Sequence, residues 1–148
     1  MYDRYKNFTV MILKIQRAIQ KIKSEEMGEF NLKIPHVSCI YYLYKEESLT
    51  ATELCDICQE DKSYISHALK YLEENGYIFC ESTAKKRYNA PFSLTEKGKE
   101  LGVCVANKID AVLEPAGIGM TEEERTVLYR CLARICENLD QICEKYDE

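Results

Sequence analysis

The chain has 148 residues, enough for one domain with a hydrophobic core of its own. Hydrophobic residues make up 46% and charged residues 30%, a balance typical of a folded globular protein and not of a disordered one. No apolar run reaches the roughly 20 residues that a membrane span needs. The charged N-terminal stretch also differs from a signal peptide with an apolar centre, so a cytoplasmic location is expected.

The net charge of −5 argues against a protein that coats nucleic acid through general basicity. The charge is nevertheless unevenly distributed. Residues 61–99 hold seven lysines and arginines against five acids, a net +2, so the remainder of the chain carries −7. A local basic region inside an acidic chain is compatible with a DNA-binding module.

The first predicted element is a helix over residues 2–25 with a heptad-like apolar stripe. Gly28 is expected to end it in the left-handed conformation. A stripe this regular at a chain end is typical of a helix that packs on a partner chain. The stripe residues are Phe8, Ile12, Ile15, Ile19 and Ile22.

Pro35 opens a second predicted helix that runs to about Glu47, since proline is tolerated in a first helical turn. Its tyrosines have two interpretations: they pack in the core, or they line a small aromatic effector pocket beside the dimer helices. These residues are Tyr41, Tyr42 and Tyr44. His36, next to Pro35, is expected to be an ordinary surface or first-turn residue.

Residues 50–98 predict two short helices followed by a hairpin. Thr50 and Glu53 form a capping box for the first of these helices. Asp61 is placed to cap the next helix, which continues to Asn75 and stops at Gly76. Residues 77–81 and 89–94 have strand composition, with a polar, basic loop between them.

Two further helices complete the predicted chain. Pro91 favours an edge position for the return strand, because proline cannot donate to a ladder. Thr95 caps a long helix from Glu96 to about Leu113, after which a proline- and glycine-containing linker follows. Thr121 and Glu124 form a second capping box. The last helix carries the stripe Leu128, Leu132, Ile135, Leu139, Ile142 and Tyr146.

The fourth helix carries the residues that point to function. Four apolar residues, Ile65, Ala68, Leu69 and Leu72, follow the spacing of one buried helix face. The remaining surface offers hydroxyls, an imidazole and an ammonium group, which suit phosphates and base edges in a major groove. Those candidate DNA contacts are Ser63, Tyr64, Ser66, His67, Lys70 and Tyr71. The alternative is an ordinary solvated helix face.

The basic loop strengthens the DNA interpretation. Lys85, Lys86 and Arg87 form the densest cationic run in the chain, at the tip of the predicted hairpin. Arginine there can enter a minor groove, and lysine can meet phosphate. Helix-turn-helix, hairpin and basic tip within about fifty residues together predict a winged helix-turn-helix.

The segments LTATELCDICQEDKSYISHALKYLEENGYI and FSLTEKGKEL resemble the multiple-antibiotic-resistance regulator (MarR) family of bacterial winged-helix transcription regulators. The resemblance covers nearly the whole chain. It implies a mainly α fold with a small antiparallel wing hairpin, an obligate homodimer held by the terminal helices, and binding to near-palindromic operators in double-stranded DNA. It also implies that the fourth helix is the recognition helix.

One departure from the family pattern concerns the wing. The family's wing usually carries an Asp-x-Arg before the second wing strand, and those two places hold Lys86 and Tyr88 here. The usual Asp–Arg brace cannot form. We therefore expect Arg87 to take over insertion into the minor groove and Lys86 to contact phosphate, with Tyr88 beside them.

The expected organisation is a single domain over residues 1–148. Residues 1–31 form the N-terminal dimerisation helix, residues 32–98 the DNA-binding module, and residues 99–148 the C-terminal dimerisation helices. The expected dimer contacts are Phe8, Ile12, Ile15, Ile19, Leu128, Leu132, Ile135, Leu139 and Ile142. Terminal stripes that complete the core of one chain are the alternative to a dimer.

The eight cysteines are expected to be reduced and mostly buried as small hydrophobes. Cys55 and Cys58 form a lone CxxC, which is weak evidence for a redox or metal site without a second pair. Packing is the expected role, and a thiol switch is the alternative. No cofactor or metal is expected.

The expected function is a homodimeric transcription regulator, a repressor, released by a small-molecule or oxidant effector. Two other classes remain as alternatives: a winged-helix protein-interaction module, and a thiol oxidoreductase that uses Cys55 and Cys58. The sequence has no nucleotide-binding loop, carboxylate pair or hydrolase triad signature, so we do not expect an enzyme.

Overall fold

A computed structural model describes residues 3–81 and 89–147. The described residues form six α-helices and three short strands. Their bounds are α1 Arg4–Met27, α2 Ile34–Glu46, β1 Ser48–Leu49, α3 Ala51–Cys58, α4 Lys62–Glu74, β2 Ile78–Cys80, β3 Phe92–Leu94, α5 Glu96–Leu113 and α6 Glu122–Glu144. The chain divides into two compact units, Met1–Val112 and Leu113–Glu148.

The core of the first unit lies where α2 packs against α3 and α4. Each helix contributes apolar side chains with essentially no exposed surface, including Val37, Ile40, Leu54, Ile65 and Leu72. Burying such side chains stabilises the fold by about 1.5–3 kcal/mol each. The α1 helix packs on α2. The predicted mainly α fold is confirmed.

Helix starts follow the local signals of the sequence. Thr50 Oγ1 accepts a hydrogen bond from the Glu53 amide at 3.1 Å, and the Glu53 carboxylate accepts one from the Thr50 amide at 3.2 Å. Asp61 Oδ1 accepts from the Tyr64 amide at 2.7 Å, which caps α4. These interactions satisfy amide groups that would otherwise have no partner in the first helical turn. The caps predicted at Thr50 and Asp61 are confirmed.

The end of α1 differs from the prediction. Gly28 has a φ of −58° and opens a short 3₁₀ helix over Gly28–Phe30 in place of a left-handed stop. Asn31 takes the left-handed conformation, with a φ of 56°, and its amide donates to the Gly28 carbonyl at 3.1 Å. Asparagine tolerates this region better than most residues, so the chain reverses three residues later than expected.

The sheet has the strand order β1–β3–β2, with both pairings antiparallel. The two-residue strand β1 was not predicted. Because it pairs with β3, the return strand is central, and its expected edge position is wrong. Pro91 is tolerated because it precedes β3, and its carbonyl accepts the Glu81 amide at 2.9 Å.

The second unit contains a 3₁₀ helix over Glu114–Gly117 and the long helix α6. Thr121 and Glu124 form the predicted capping box at its start. Arg125 Nη2 donates to the Gly117 carbonyl at 3.2 Å, and this bond ties the 3₁₀ helix to the first turns of α6. No described side chain of α6 is buried.

The cysteines correct one expectation. Cys39 is buried, whereas Cys104, Cys131, Cys136 and Cys143 are exposed on the single chain and the other three are half-buried. Most of them therefore do not serve as core residues of one chain. Within residues 3–81 and 89–147, no helix is both long and apolar enough to cross a membrane.

Candidate nucleic-acid interface

The α4 helix has one buried and one exposed face. Ile65, Ala68, Leu69 and Leu72 are buried, as the spacing predicted. Ser63, Ser66, His67 and Lys70 are exposed and follow the spacing i, i+3, i+4, i+7 that defines a single helix face. We call these four residues the polar face of α4. It carries hydroxyl, imidazole and ammonium groups on a rigid, well-anchored helix.

Two of the predicted contacts lie beside this face. Tyr64 and Tyr71 are half-buried and line a cavity of about 600 Å³ at the junction of α1, α2 and α4. The Tyr71 ring stacks on His36, with centroids 4.1 Å apart and planes 16° apart, and its hydroxyl donates to the Asn31 carbonyl at 3.4 Å. Tyr71 therefore ties α4 to the elements that precede it.

His36 was expected to be an ordinary surface or first-turn residue; it lies in the first turn of α2 but is buried, with 8% of its surface exposed. Its Nδ1 accepts the Lys33 amide at 3.1 Å. Burial, with a smaller contribution from the Lys33 charge, lowers the pKa of His36. The first-turn position was foreseen, but nothing in the local sequence shows that Tyr71, 35 residues later, covers the ring.

The end of α4 is fixed to the start of α5. The Thr95 hydroxyl donates to the Gly76 carbonyl at 2.6 Å and accepts the Gly98 amide at 3.0 Å. Lys97 Nζ donates to the Asn75 carbonyl at 2.8 Å and lies 4.5 Å from the centre of the Tyr77 ring. Gly76, with a φ of +78°, makes the turn that these bonds hold.

The wing sheet follows that turn. Ser93 donates to the Glu81 carboxylate between β3 and the end of β2. The basic loop residues Lys85, Lys86, Arg87 and Tyr88, predicted as wing contacts, lie outside the described residues.

A charged cluster joins α2 to α5. Asp110 accepts hydrogen bonds from the Tyr41 hydroxyl and from Lys45 Nζ, both at 2.9 Å. The Lys45 bond and then the Tyr41 bond lower the pKa of Asp110. Burial and the bond to Asp110 raise the pKa of Tyr41. The Tyr41 hydroxyl thus has a structural partner between the two helices.

The two terminal helices carry apolar side chains that the single chain leaves uncovered. On α1, Phe8, Ile12 and Ile15 are exposed by 37%, 40% and 55%, and Ile19 is half-buried. On α6, the predicted stripe is partly or fully exposed at Leu128, Leu132, Ile135, Leu139 and Ile142. Contiguous rows of exposed large apolar residues are typical of surfaces that bind another molecule.

Comparison with known proteins places this geometry among DNA-binding domains. Residues 36–108 match the family model described as a winged helix DNA-binding domain. A curated relative, an uncharacterised HTH-type transcriptional regulator called YybA from Bacillus subtilis, is 23% identical over 127 residues, which cover 86% of this chain and 85% of that protein.

Solved structures of other regulators have a similar fold. A MarR family regulator from Neisseria meningitidis has a TM-score of 0.83 at 19% identity and covers 97% of this chain and 99% of its own. A putative MarR family regulator from Listeria monocytogenes, complexed with a 26mer DNA, has a TM-score of 0.78 at 27% identity, with 94% and 90% covered.

The fold and the exposed face of α4 define a winged-helix transcription regulator. Its fold is that of MarR family regulators, as the sequence resemblance indicated.

Proposed function

We propose that this regulator binds a near-palindromic operator in double-stranded DNA as a homodimer and acts as a repressor. The observation that carries the proposal is the polar face of α4, exposed along its length while the opposite face anchors the helix in the core. Such a regulator works beside the chromosome, in the cytoplasm.

The polar face supplies the chemistry that a major groove requires. Ser63, Ser66 and His67 can hydrogen-bond base edges or phosphate oxygens, and Lys70 is exposed at the far end of the face to meet phosphate. The amide groups of the first turn of α4 add a dipole that favours phosphate. Tyr64 and Tyr71 would border the contact and keep α4 oriented. In the proposed complex the basic loop, with Lys85, Lys86, Arg87 and Tyr88, grips the flanking backbone.

A second copy of the chain would cover the exposed apolar rows on α1 and α6. Heptad-like stripes pair through interlocking side chains, and such burial contributes about 25 cal/mol per Å² of apolar surface. Two copies related by a twofold axis would present two α4 helices to half-sites about 34 Å apart along the DNA.

The decisive experiment is selection of bound DNA from a random duplex pool. A homodimer reading DNA through α4 should enrich an inverted repeat whose half-sites are about 10 base pairs apart, centre to centre. Affinity for the enriched site should fall steeply between 50 and 200 mM salt. A pool without an enriched motif, together with salt-independent binding, would favour the alternative of a protein-interaction module.

Lys70→Ala tests the assigned face. Loss of one phosphate contact should weaken binding similarly on all sequences and reduce the slope of log K against log salt by about 1. Arg134→Ala is the matched control, because Arg134 is an exposed cation on α6, 76% exposed at its side chain. Equal loss of DNA affinity in both variants would contradict the assignment of the polar face of α4 as the DNA-contacting surface.

Leu139→Glu tests the dimer. Leu139 is 46% exposed on the single chain, so a glutamate there should leave each copy folded but put a charge into the interface. Sedimentation should then show monomers at concentrations where the wild-type chain is dimeric. Tyr129→Glu, at an exposed residue of α6 outside the predicted stripe, is the control and should remain dimeric.

A small-molecule effector would act by changing the angle or distance between the two DNA-binding modules. The cavity of about 600 Å³ beside Tyr64 and Tyr71 is a suitable place, since a ligand there would press directly on α4. Tyr71→Ala enlarges the cavity and should reduce the ability of the effector to release the protein from its operator. The affinity for the operator measured without effector should change less than this effector response.

A further inference from the structure

The buried histidine of α2 is held by contacts from two directions. His36 lies in the first turn of that helix and has 8% of its surface exposed. Its Nδ1 accepts the Lys33 amide at 3.1 Å, and its ring stacks on Tyr71 of α4 with the centroids 4.1 Å apart. The imidazole therefore links the start of α2 to the helix that carries the proposed DNA-binding face.

The hydrogen bond from Lys33 defines the protonation state of the ring. An imidazole nitrogen that accepts an amide hydrogen carries no proton of its own, so His36 is neutral in this arrangement, with its proton on Nε2. A proton on Nδ1 would turn this acceptor into a donor that faces the Lys33 N–H. The protonated ring would have to turn away, and the cavity of about 600 Å³ that it lines gives it room to do so.

The surroundings of His36 oppose a positive charge. His36 is the third residue of α2, where the amide dipoles of the helix N-terminus disfavour a cation. The titratable groups that share its cavity are Lys33 from the preceding turn and Tyr64 and Tyr71 from α4. The α1 helix contributes Ser24, and none of the described residues that line the cavity is an acid. Stacking on a phenol ring favours a cation, but burial and the Lys33 charge outweigh it and lower the pKa of His36.

Tyr71 connects the state of His36 to α4. The Tyr71 hydroxyl donates to the Asn31 carbonyl at 3.4 Å, so its ring is held at the edge as well as on the face. Tyr71 directly follows Lys70, the last residue of the polar face. When the stack is lost, the anchor of α4 on this side weakens to a hydrogen bond that is longer than usual.

We propose that His36 is a positioning residue of the DNA-binding face, and that its protonation releases Tyr71 and lets α4 leave the orientation that fits the operator. This inference rests on the proposed function, because it concerns the regulation of that same face. The neutral form of His36 belongs to the DNA-binding state, and the protonated form binds DNA less tightly. Acidification would then release the regulator from DNA without a small-molecule effector.

Proton linkage gives the sign and the limit of the effect. If the operator-bound form holds His36 neutral, binding at low pH releases one proton. Affinity should then fall by up to about tenfold for each pH unit below the folded pKa. The lowered pKa of His36 places this range below about pH 6.5, the ordinary value for histidine. By the same linkage, operator binding should lower the pKa of His36 further.

The second histidine of the chain provides a contrast. His67 lies on the polar face of α4 and is exposed. A proton on His67 would add a positive charge beside the phosphates and strengthen DNA binding at low pH. The chain has two histidines, and they therefore predict pH effects of opposite sign.

The test measures the affinity for the selected operator between pH 7.5 and 5.5 at constant ionic strength. The wild type should lose affinity as pH falls. His36→Gln should flatten this loss, because a glutamine oxygen can accept the Lys33 amide but does not titrate. Tyr71→Phe keeps the stacked ring and should keep the loss, whereas His67→Gln should make the loss steeper. Equal pH profiles for the wild type and His36→Gln, or a loss abolished by His67→Gln, would overturn the proposal.

Proton NMR of the free chain tests the stack without DNA. The Cε1 proton signal of His36, assigned by its absence from His36→Gln, should titrate below pH 6.5, and the ring signals of Tyr71 should shift with the same midpoint. Tyr71 signals that do not follow this titration would overturn the proposal. Loss of helical circular dichroism with the same midpoint would show unfolding in place of a local release, and would overturn it as well.

The two proposals fail in different ways. A chain that binds no selected DNA at pH 7.5 would refute the proposed function together with this role of His36. A chain that binds its operator with the same affinity at pH 7.5 and 5.5 in both the wild type and His67→Gln would refute the role of His36 alone.

Discussion

Gly98 lies at the closest approach between α5 and the backbone that follows α4. A Cβ at this position would stand 2.9 Å from the Tyr77 carbonyl carbon, nearer still to its oxygen, and 3.2 Å from Leu94 Cδ2. Carbon atoms in good contact are about 3.5–4.0 Å apart. Gly98→Ala must therefore move the start of α5 away from Tyr77 by roughly 1 Å.

The displacement has a cost that can be estimated. Overpacking of this kind typically costs about 1–3 kcal/mol. The Tyr77 carbonyl also accepts the Thr95 amide at 3.0 Å, and weakening that bond adds about 1 kcal/mol. Gly98→Ala should lower the free energy of unfolding by about 2–4 kcal/mol.

Urea unfolding at one fixed protein concentration measures the effect, because the stability of the proposed dimer would depend on concentration. Gly28→Ala is the matched control, since Gly28 has a helical φ of −58° and no atom lies within 4 Å of the added Cβ. That variant should be neutral or more stable by up to about 1 kcal/mol. A Gly98→Ala midpoint equal to that of Gly28→Ala would refute the contact argument.

Three further outcomes are expected. The pKa of His36 is lowered in the folded chain, so its contribution to stability is complete above the unfolded pKa of about 6.5 and is lost as pH falls through the folded pKa. In urea titrations, the wild type should therefore lose more stability than His36→Gln between pH 7.5 and 5. Equal losses in the two proteins would contradict this. Asp61→Ala removes the 2.7 Å cap on the Tyr64 amide and should cost about 1 kcal/mol in thermal unfolding. Leu72→Ala should lower the free energy of unfolding by about 2–5 kcal/mol, because Leu72 is fully buried. Lys70→Ala should change it by no more than about 0.5 kcal/mol while reducing DNA affinity. Similar stability losses in the two variants would show that the two faces of α4 are wrongly assigned.

Features set by near neighbours in the sequence were predictable. The capping boxes, the Asp61 cap, the bounds of α5 and the buried face of α4 all depend on residues a few positions apart, and the structure contains them. The polar face of α4 was narrower than predicted. At 100° per residue, Tyr64 and Tyr71 lie to one side of Ser63 and Lys70, a distinction that the spacing already contained.

Features set by distant pairing were not predictable. The strand β1 exists because β3 lies beside it, and two residues carry no strand signal of their own. His36 is buried because Tyr71 stacks on it. Each outcome depends on tertiary contacts that no local pattern records.

The bonds around Thr95 have a mechanical consequence. Two hydrogen bonds, from Thr95 and Lys97, and the close approach at Gly98 restrict motion between the end of α4 and the start of α5. The two helices should therefore move as one rigid lever. In the proposed dimer, a small tilt of α5 at its far end would be converted into a larger swing of α4. The distance between the two reading helices would then be set by the tilt of α5, and bending within the module would contribute little.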